Sequence, residues 1–245
     1  MNAPDRRVIV ALDLPDAEAA EHLLAKLLPR KPFIKVGYQL FYAVGPAWVA
    51  RKKEAGFPVF LDLKLHDIPN TVKKGVESLG RLGVDLLTLH ASGGSAMMEA
   101  AREAAEKTAS GTHRTRLLAV TQLTSTDREM LNDELGIPGT VGEHVLRLAR
   151  LAQRSGVDGV VCSGHEVRRI KEVTGSGFLA VTPGIRPAGT DAGDQKRIMT
   201  PSLAIKEGAD FLVVGRPVTG AADPAAAYEA ILREISHTDT RSGHA

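Results

Sequence analysis

The sequence predicts one (β/α)8 TIM barrel of the α/β class, on three observations. Eight short apolar, β-branched runs recur along 245 residues, helix-like stretches separate them, and most runs lack polar alternation. Strands of a parallel sheet covered on both faces read this way, and eight strand–helix units in about 250 residues fit a closed barrel. A doubly wound open sheet shares the alternation. No run here, however, carries the glycine fingerprint of a dinucleotide-binding turn.

In chain order the expected strands are residues 8–13, 33–37, 59–64, 86–90, 117–123, 159–163, 179–185 and 211–216. The amphipathic or Ala-rich stretches expected as helices are 16–28, 48–54, 71–82, 95–108, 142–155, 166–173, 200–207 and 224–235. Many end in a glycine corner (Gly56, Gly83, Gly156, Gly208), where a left-handed residue stops a helix without a Cβ clash. No Pro/Gly/Ser-rich linker divides the chain, so residues 1–235 read as one barrel domain and 236–245 as a polar, frayed tail. The repetition is one of pattern, with no repeat visible at the level of residues.

Composition then narrows the function. The formal charge is +2, from 31 basic and 29 acidic residues, and aromatic residues make up only 4%. Neither nucleic acid nor an anionic membrane surface is favoured by such a chain. No apolar run approaches the roughly 18 residues of a membrane helix, and the start lacks a signal-peptide core. The single Cys162 excludes an intramolecular disulfide framework and fits a reducing, cytoplasmic setting. A cytosolic, soluble protein that handles small molecules remains the expectation.

In a barrel of this kind chemistry sits at the C-terminal strand ends. The residues closing the runs are Asp13, Lys35, Asp62 with Lys64, His90, Gln122 with Thr124, Ser163, Thr182 with Arg186, and Arg216. The densest group is Asp62-Leu63-Lys64-Leu65-His66-Asp67-Ile68-Pro69-Asn70-Thr71. Period-two alternation puts Asp62 and Lys64 on one face, about 7 Å apart, with Asp67 just past the strand end. Carboxylates on both sides of Lys64 favour its charged ammonium, a proton donor loaded at neutral pH. Such a group also reads as a satisfied rim ion pair, but its charge density favours function.

The last two loops form the second region. Gly215 and Arg216 close the eighth run ahead of Pro217, an arrangement suited to holding an anion after the final strands of a barrel. Arg186 opens a long polar stretch, 186–197, that reads as a lid from which Arg186 and Gln195 could reach a phosphate, or as a surface loop. Weaker signals are Asp13 with Lys35, which fit a sugar diol or plain rim pairing, and the His90-Ala91-Ser92-Gly93-Gly94 turn. His66 reads as structural, Cys162 and Met97-Met98 as core, and His165-Glu166 as a helix start. No His/Asp/Glu spacing stands out as a metal site.

The segment from Asp62 to Thr71 resembles the signature of the orotidine 5′-phosphate decarboxylases. Val10-Ala11-Leu12-Asp13, Ile34-Lys35-Val36-Gly37, Val120-Thr121-Gln122-Leu123-Thr124-Ser125, Val181-Thr182-Pro183-Gly184-Ile185-Arg186 and Val213-Val214-Gly215-Arg216 resemble further blocks of that family, in order. The compact length is similar to that of stand-alone bacterial members. The resemblance implies a homodimer that converts orotidine 5′-monophosphate to uridine 5′-monophosphate and carbon dioxide, without cofactor or metal. In it Lys64 would protonate C6 of the pyrimidine, and Asp62 would face the departing carboxylate. Asp67 and Ile68 would come from the partner chain. Asp13, Lys35 and Thr71 would contact the ribose and its surroundings, with Thr124 and Ser125 at the base. Arg186, Gln195, Gly215 and Arg216 would hold the 5′-phosphate.

Two rivals differ in kind. Metal-dependent relatives of the same barrel act on sugar phosphates and need an acidic ligand at the end of the second strand, where this chain has Lys35. A non-catalytic phosphosugar-binding barrel would have no need of Asp62, Lys64 and Asp67 together.

Overall fold

The computed structural model describes residues 5–28, 30–188 and 197–242. Eight parallel strands close on themselves: β1 Val8–Ala11, β2 Phe33–Gly37, β3 Val59–Leu65, β4 Leu86–His90, β5 Arg116–Val120, β6 Gly159–Val161, β7 Leu179–Thr182 and β8 Phe211–Val214. The barrel shuts where β1 pairs with β8, Val10 opposite Val214. Around it run α1 Ala17–Leu27, α2 Tyr38–Glu54, α3 Pro69–Gly80, α4 Gly94–Lys107, α5 Val141–Arg154, α6 Val167–Thr174, α7 Pro201–Lys206, the short α8 Arg216–Thr219 and α9 Pro224–Ser242.

The strands run as apolar stretches because both faces are covered. One face packs on the helices, as with Val10, Ile34 and Leu87. The other fills the barrel with Ile9, Phe33, Phe60, Leu86, Leu118, Val181 and Val213. Two positions further along each strand, period two brings Ala11, Lys35, Asp62, Thr88 and Val120 inward as the next layer. The site is therefore a polar layer resting on an apolar one.

Three features depart from the sequence reading. First, α2 begins at Tyr38, ten residues before the expected start at Trp48. Gly45 and Pro46 look like a break in sequence. The helix instead kinks there, with Gly45 at φ 68, and resumes to bury Trp48. Second, residues 236–245 are not a frayed tail from their start, since α9 continues to Ser242. Ile235 and Thr238 are buried, and the hydroxyls of Ser236 and Thr238 donate back to the carbonyls of Leu232 and Glu234. Polar residues thus extend the helix without ending it.

Third, a repeat does exist at residue level. Gly83-Val84-Asp85, Gly156-Val157-Asp158 and Gly208-Ala209-Asp210 immediately precede β4, β6 and β8. Each aspartate clamps the start of the preceding strand. Its own N–H donates to the carbonyl of Val59, Leu117 or Ala180 at 2.9, 3.0 and 2.9 Å. Its carboxylate accepts the N–H of that same residue at 2.7 Å in each case. A cation completes each clamp: Lys53 at 2.5 Å, Arg114 at 2.9 Å and Lys171 at 2.6 Å. Asp158→Ala is expected to cost about 1–3 kcal/mol, because it leaves the Leu117 N–H unpaired and strips Arg114 of its nearest carboxylate, with Glu106 remaining to it. Denaturant titration should show a lower midpoint at unchanged slope, with Asp158→Asn losing less because its amide oxygen still accepts from Leu117.

Among the described residues, no helix is long and apolar enough to cross a membrane.

Candidate active site

A cavity of about 720 Å³ opens at the C-terminal ends of the strands, within the range of small-molecule sites. Of the residues expected at the site, Asp13, Lys35, Asp62, Lys64, Thr124, Ser125, Arg186, Gly215 and Arg216 line it. Asp67, Ile68 and Thr71 do not; they lie exposed on the turn after β3 and the first turn of α3. Gln195 and most of the expected lid lie outside the described residues.

The charged array is built by β1, β2 and β3. Asp62 sits between two ammoniums, with Lys64 Nζ 2.9 Å from Oδ1 and Lys35 Nζ 3.4 Å from Oδ2. Lys35 in turn reaches Asp13 Oδ1 at 2.9 Å. The order is Asp13–Lys35–Asp62–Lys64. Burial by itself pushes the Asp62 carboxyl up, but the ammoniums of Lys35 and Lys64 and the hydroxyl of Thr88 reverse this and hold it below the usual carboxylate range. Lys35 is only 7% exposed. Burial works against its charge, yet Asp62 and Asp13 outweigh that and hold its ammonium above the ordinary lysine range. Both groups therefore stay ionised through neutral pH.

One expectation needs correction. Among the described residues, Lys35 is flanked by two carboxylates, Asp13 and Asp62, whereas Lys64 meets one, Asp62. The reason is the backbone. Leu61 pairs with Leu87 and Leu65 with Leu89, so three residues of β3 face Thr88 alone. This bulge lifts Lys64 out of regular alternation into the left-handed region, at φ 46. Asp67 lies beyond the bulge and turns its carboxylate onto the N–H of Ile68 at 2.6 Å. Pro69 does more than end the pairing, because it opens α3.

Sequence reasoning missed several neighbours. Tyr38 lines the cavity with its ring 5.2 Å from Lys64 Nζ and stacks on Tyr42. Gly37 ends β2 where a Cβ would stand 3.1 Å from Lys35 Nζ and 3.3 Å from Asp13 Oδ1, so a side chain would crowd that pair. Leu123, Pro183 and Gly184 also line the cavity. The rings of His66 and His90 lie 5.2 Å apart at the rim. Burial, then His66 and Lys64, lower the imidazolium tendency of His90 despite Asp62. Cys162, fully buried, has its thiol pushed up, first by burial. Glu166 pairs with Arg197 at 2.7 Å, holding the first described residue after the 189–196 stretch against the end of β6.

The β7 and β8 ends supply two guanidiniums to the same cavity. Arg186, buried, donates to the Ile185 carbonyl at 2.9 Å, and Arg216 opens α8 directly after Gly215. Pro217 is the second residue of this helix. Among the described residues, no three carboxylate, imidazole or thiolate groups converge as ligands for a metal.

A (β/α)8 barrel whose cavity carries a lysine–aspartate array from β1–β3 and two arginines from β7 and β8 defines an enzyme for a small anionic substrate. The model of the orotidine 5′-phosphate decarboxylase / HUMPS family matches residues 6–231. An orotidine 5′-phosphate decarboxylase of Moorella thermoacetica is 52% identical over 237 residues, covering 96% of this chain and 94% of its own. One from Cutibacterium acnes is 54% identical over 225 residues, covering 92% and 94%. The crystal structure of orotidine 5′-phosphate decarboxylase from Lactobacillus acidophilus superposes with a TM-score of 0.86 at 45% identity, over 94% of this chain and 99% of that one. The chain belongs to the orotidine 5′-phosphate decarboxylase / HUMPS family.

Proposed function

We propose that this protein decarboxylates orotidine 5′-monophosphate to uridine 5′-monophosphate, the last step of de novo UMP synthesis, in the cytoplasm, with Lys64 as proton donor. The observation that carries this reading is the alternating Asp13–Lys35–Asp62–Lys64 array at the inner end of the cavity. In the reaction the bond from C6 to the carboxylate breaks and its electron pair stays on C6. Carbon dioxide leaves, and Lys64 Nζ delivers a proton to that carbon. No ring position delocalises the pair, so stabilisation comes from a cation already fixed where charge develops. Asp62 holds Lys64 in place and faces the departing carboxylate.

The other residues take supporting parts. Asp13 and Lys35 bind the ribose hydroxyls, while Thr124 and Ser125 contact the base. Arg186, Gln195, Gly215 and Arg216 hold the 5′-phosphate, whose binding energy is directed to the reacting end. Asp67 and Ile68 serve the site of a second copy in a homodimer. Support for that comes from Ile68, 68% exposed, and Tyr42, 75% exposed, beside the rim. The donor set disfavours the metal-dependent sugar-phosphate reading of the family. On β2, facing the cavity, stands Lys35, and Asp62 is already engaged by two ammoniums.

The test follows the change in ultraviolet absorbance of orotidine 5′-monophosphate in chelator-treated enzyme. Turnover independent of added divalent metal is expected. No turnover, or turnover that needs metal, overturns the proposal. Arg216→Ala is expected to raise KM by about tenfold to a hundredfold through loss of a charge-assisted grip on phosphate. Its effect should vanish when the substrate is the phosphate-free nucleoside; an equal loss on both substrates would place Arg216 elsewhere.

A further inference from the structure

We infer that Thr88, on β4, is the positioning residue that sets the backbone and hence the ammonium of Lys64. The inference rests on Lys64 being the proton donor.

The β3 bulge creates a problem that must be solved locally. Three residues, Asp62, Leu63 and Lys64, face the single residue Thr88, so the ladder cannot supply each of their backbone groups with a partner. Lys64 also holds a left-handed φ of 46, a conformation that is strained for a non-glycine residue. Such a geometry persists only where its surroundings over-determine it. Thr88 provides that. Its Oγ1 accepts the Lys64 N–H at 2.8 Å, in place of the missing ladder carbonyl. The same hydroxyl has one proton to give and two acceptors within reach: Asp62 Oδ1 at 3.1 Å and the Leu61 carbonyl at 3.5 Å. The shorter, charged acceptor is favoured.

One hydroxyl therefore ties the main chain of Lys64 to the carboxylate that holds the Lys64 ammonium. Oδ1 of Asp62 receives both Thr88 Oγ1 and Lys64 Nζ. Thr88 is fully buried and follows Leu86 by two in the inward register, so the bulge closes over it without access for water to substitute. It touches no cavity space itself, being absent from the residues that line the cavity. Its influence passes through Lys64 and Asp62.

The test compares two variants. Thr88→Val keeps the branched shape and removes both bonds, leaving the Lys64 N–H buried and unpaired. Its kcat is expected to fall by about tenfold to a hundredfold, with KM changed less than about twofold because ribose and phosphate contacts are untouched. Thr88→Ser keeps the hydroxyl and is expected to stay within about threefold of wild-type kcat. A merely structural role would lower the melting temperature of the valine variant without this split. Wild-type kcat in Thr88→Val overturns the inference whatever the melting temperature, and so does a serine variant as slow as the valine one. Amide hydrogen exchange adds a readout independent of turnover. In the unmutated protein the Lys64 N–H should be protected far beyond loop amides, and fast exchange there overturns the inference. Absence of decarboxylation by the unmutated protein would instead remove the functional reading, with the exchange result still deciding the link between Thr88 and Lys64.

Discussion

Lys64→Ala is expected to lower kcat by about four orders of magnitude or more while the protein still binds nucleotide. Two separate contributions disappear. General acid catalysis is worth about 10²–10⁴, and a preorganised charge at the reacting centre about 10²–10³. Binding should survive because Asp13 and Lys35 pair with each other, and Arg186 and Arg216 approach the cavity from the far strands. Asp62 keeps Lys35 as a partner, so the variant leaves no wholly unpaired carboxylate in the barrel. Lys64→Arg should fail nearly as badly, since a guanidinium keeps the charge but does not release its proton. The measurement is single-turnover absorbance with product binding followed in parallel. A residual kcat within about a hundredfold of wild type would remove Lys64 from the role of proton donor.

The second large effect is a gain. Lys64→Ala and Asp67→Ala dimers, each inactive alone, are expected to recover activity when their subunits are exchanged. In this chain Asp67 Oδ1 accepts from Ile68, and among the described residues Lys64 is held by the carboxylate of Asp62 alone. If each site takes Lys64 from one copy and Asp67 from the other, a mixed dimer contains one intact site and one doubly altered site. Random exchange makes half of the dimers mixed, so about a quarter of all sites should be intact. Recovery near that level, rising with the time allowed for exchange, supports the shared site. Free exchange without recovery rules it out.

How legible the sequence was differs by element. β2 and β4 begin and end where the apolar runs do, because Pro32 and the corner at Gly83 stop them on one side, and α2 or a glycine-rich turn begins on the other. β5, β7 and β8 end two to three residues short of their runs, at Val120, Thr182 and Val214. Apolar and small residues continue past the ladder there because Leu123, Pro183, Gly184 and Gly215 face the cavity, so the same composition serves strand and site. The charged array at the cavity was readable in its members and misread in its partners. Spacing along one strand places Asp62 beside Lys64, but only the tertiary register brings Lys35 and Asp13 to Asp62. Thr88 gave no signal at all, since a threonine in an apolar strand is ordinary until the bulge opposite it is known. The long stretch between β5 and α5, with a turn of π-helix at Met130–Glu134, was equally unreadable because its folding depends on Asn132 reaching the carbonyls of Ile137 and Gly139.

The aspartate clamps also bear on how such a barrel can be cut and rearranged. Each lies within one strand–helix–strand unit, joining Val59 to Asp85, Leu117 to Asp158 and Ala180 to Asp210. The seams between β2 and β3, β4 and β5, and β6 and β7 carry none of these clamps. The chain's first and last strands are already hydrogen-bonded neighbours. A circularly permuted chain opened just before β3, β5 or β7 would keep each aspartate and the backbone it clamps on uninterrupted sequence and part only the cation that completes the clamp, whereas one opened between α3 and β4 would split the first. The polypeptide is thus divisible into strand pairs at the end of the barrel remote from the cavity, while at the cavity end Lys35 and Asp62 tie β2 to β3 across the first of those seams, and Asp13 and Thr88 extend the tie to β1 and β4.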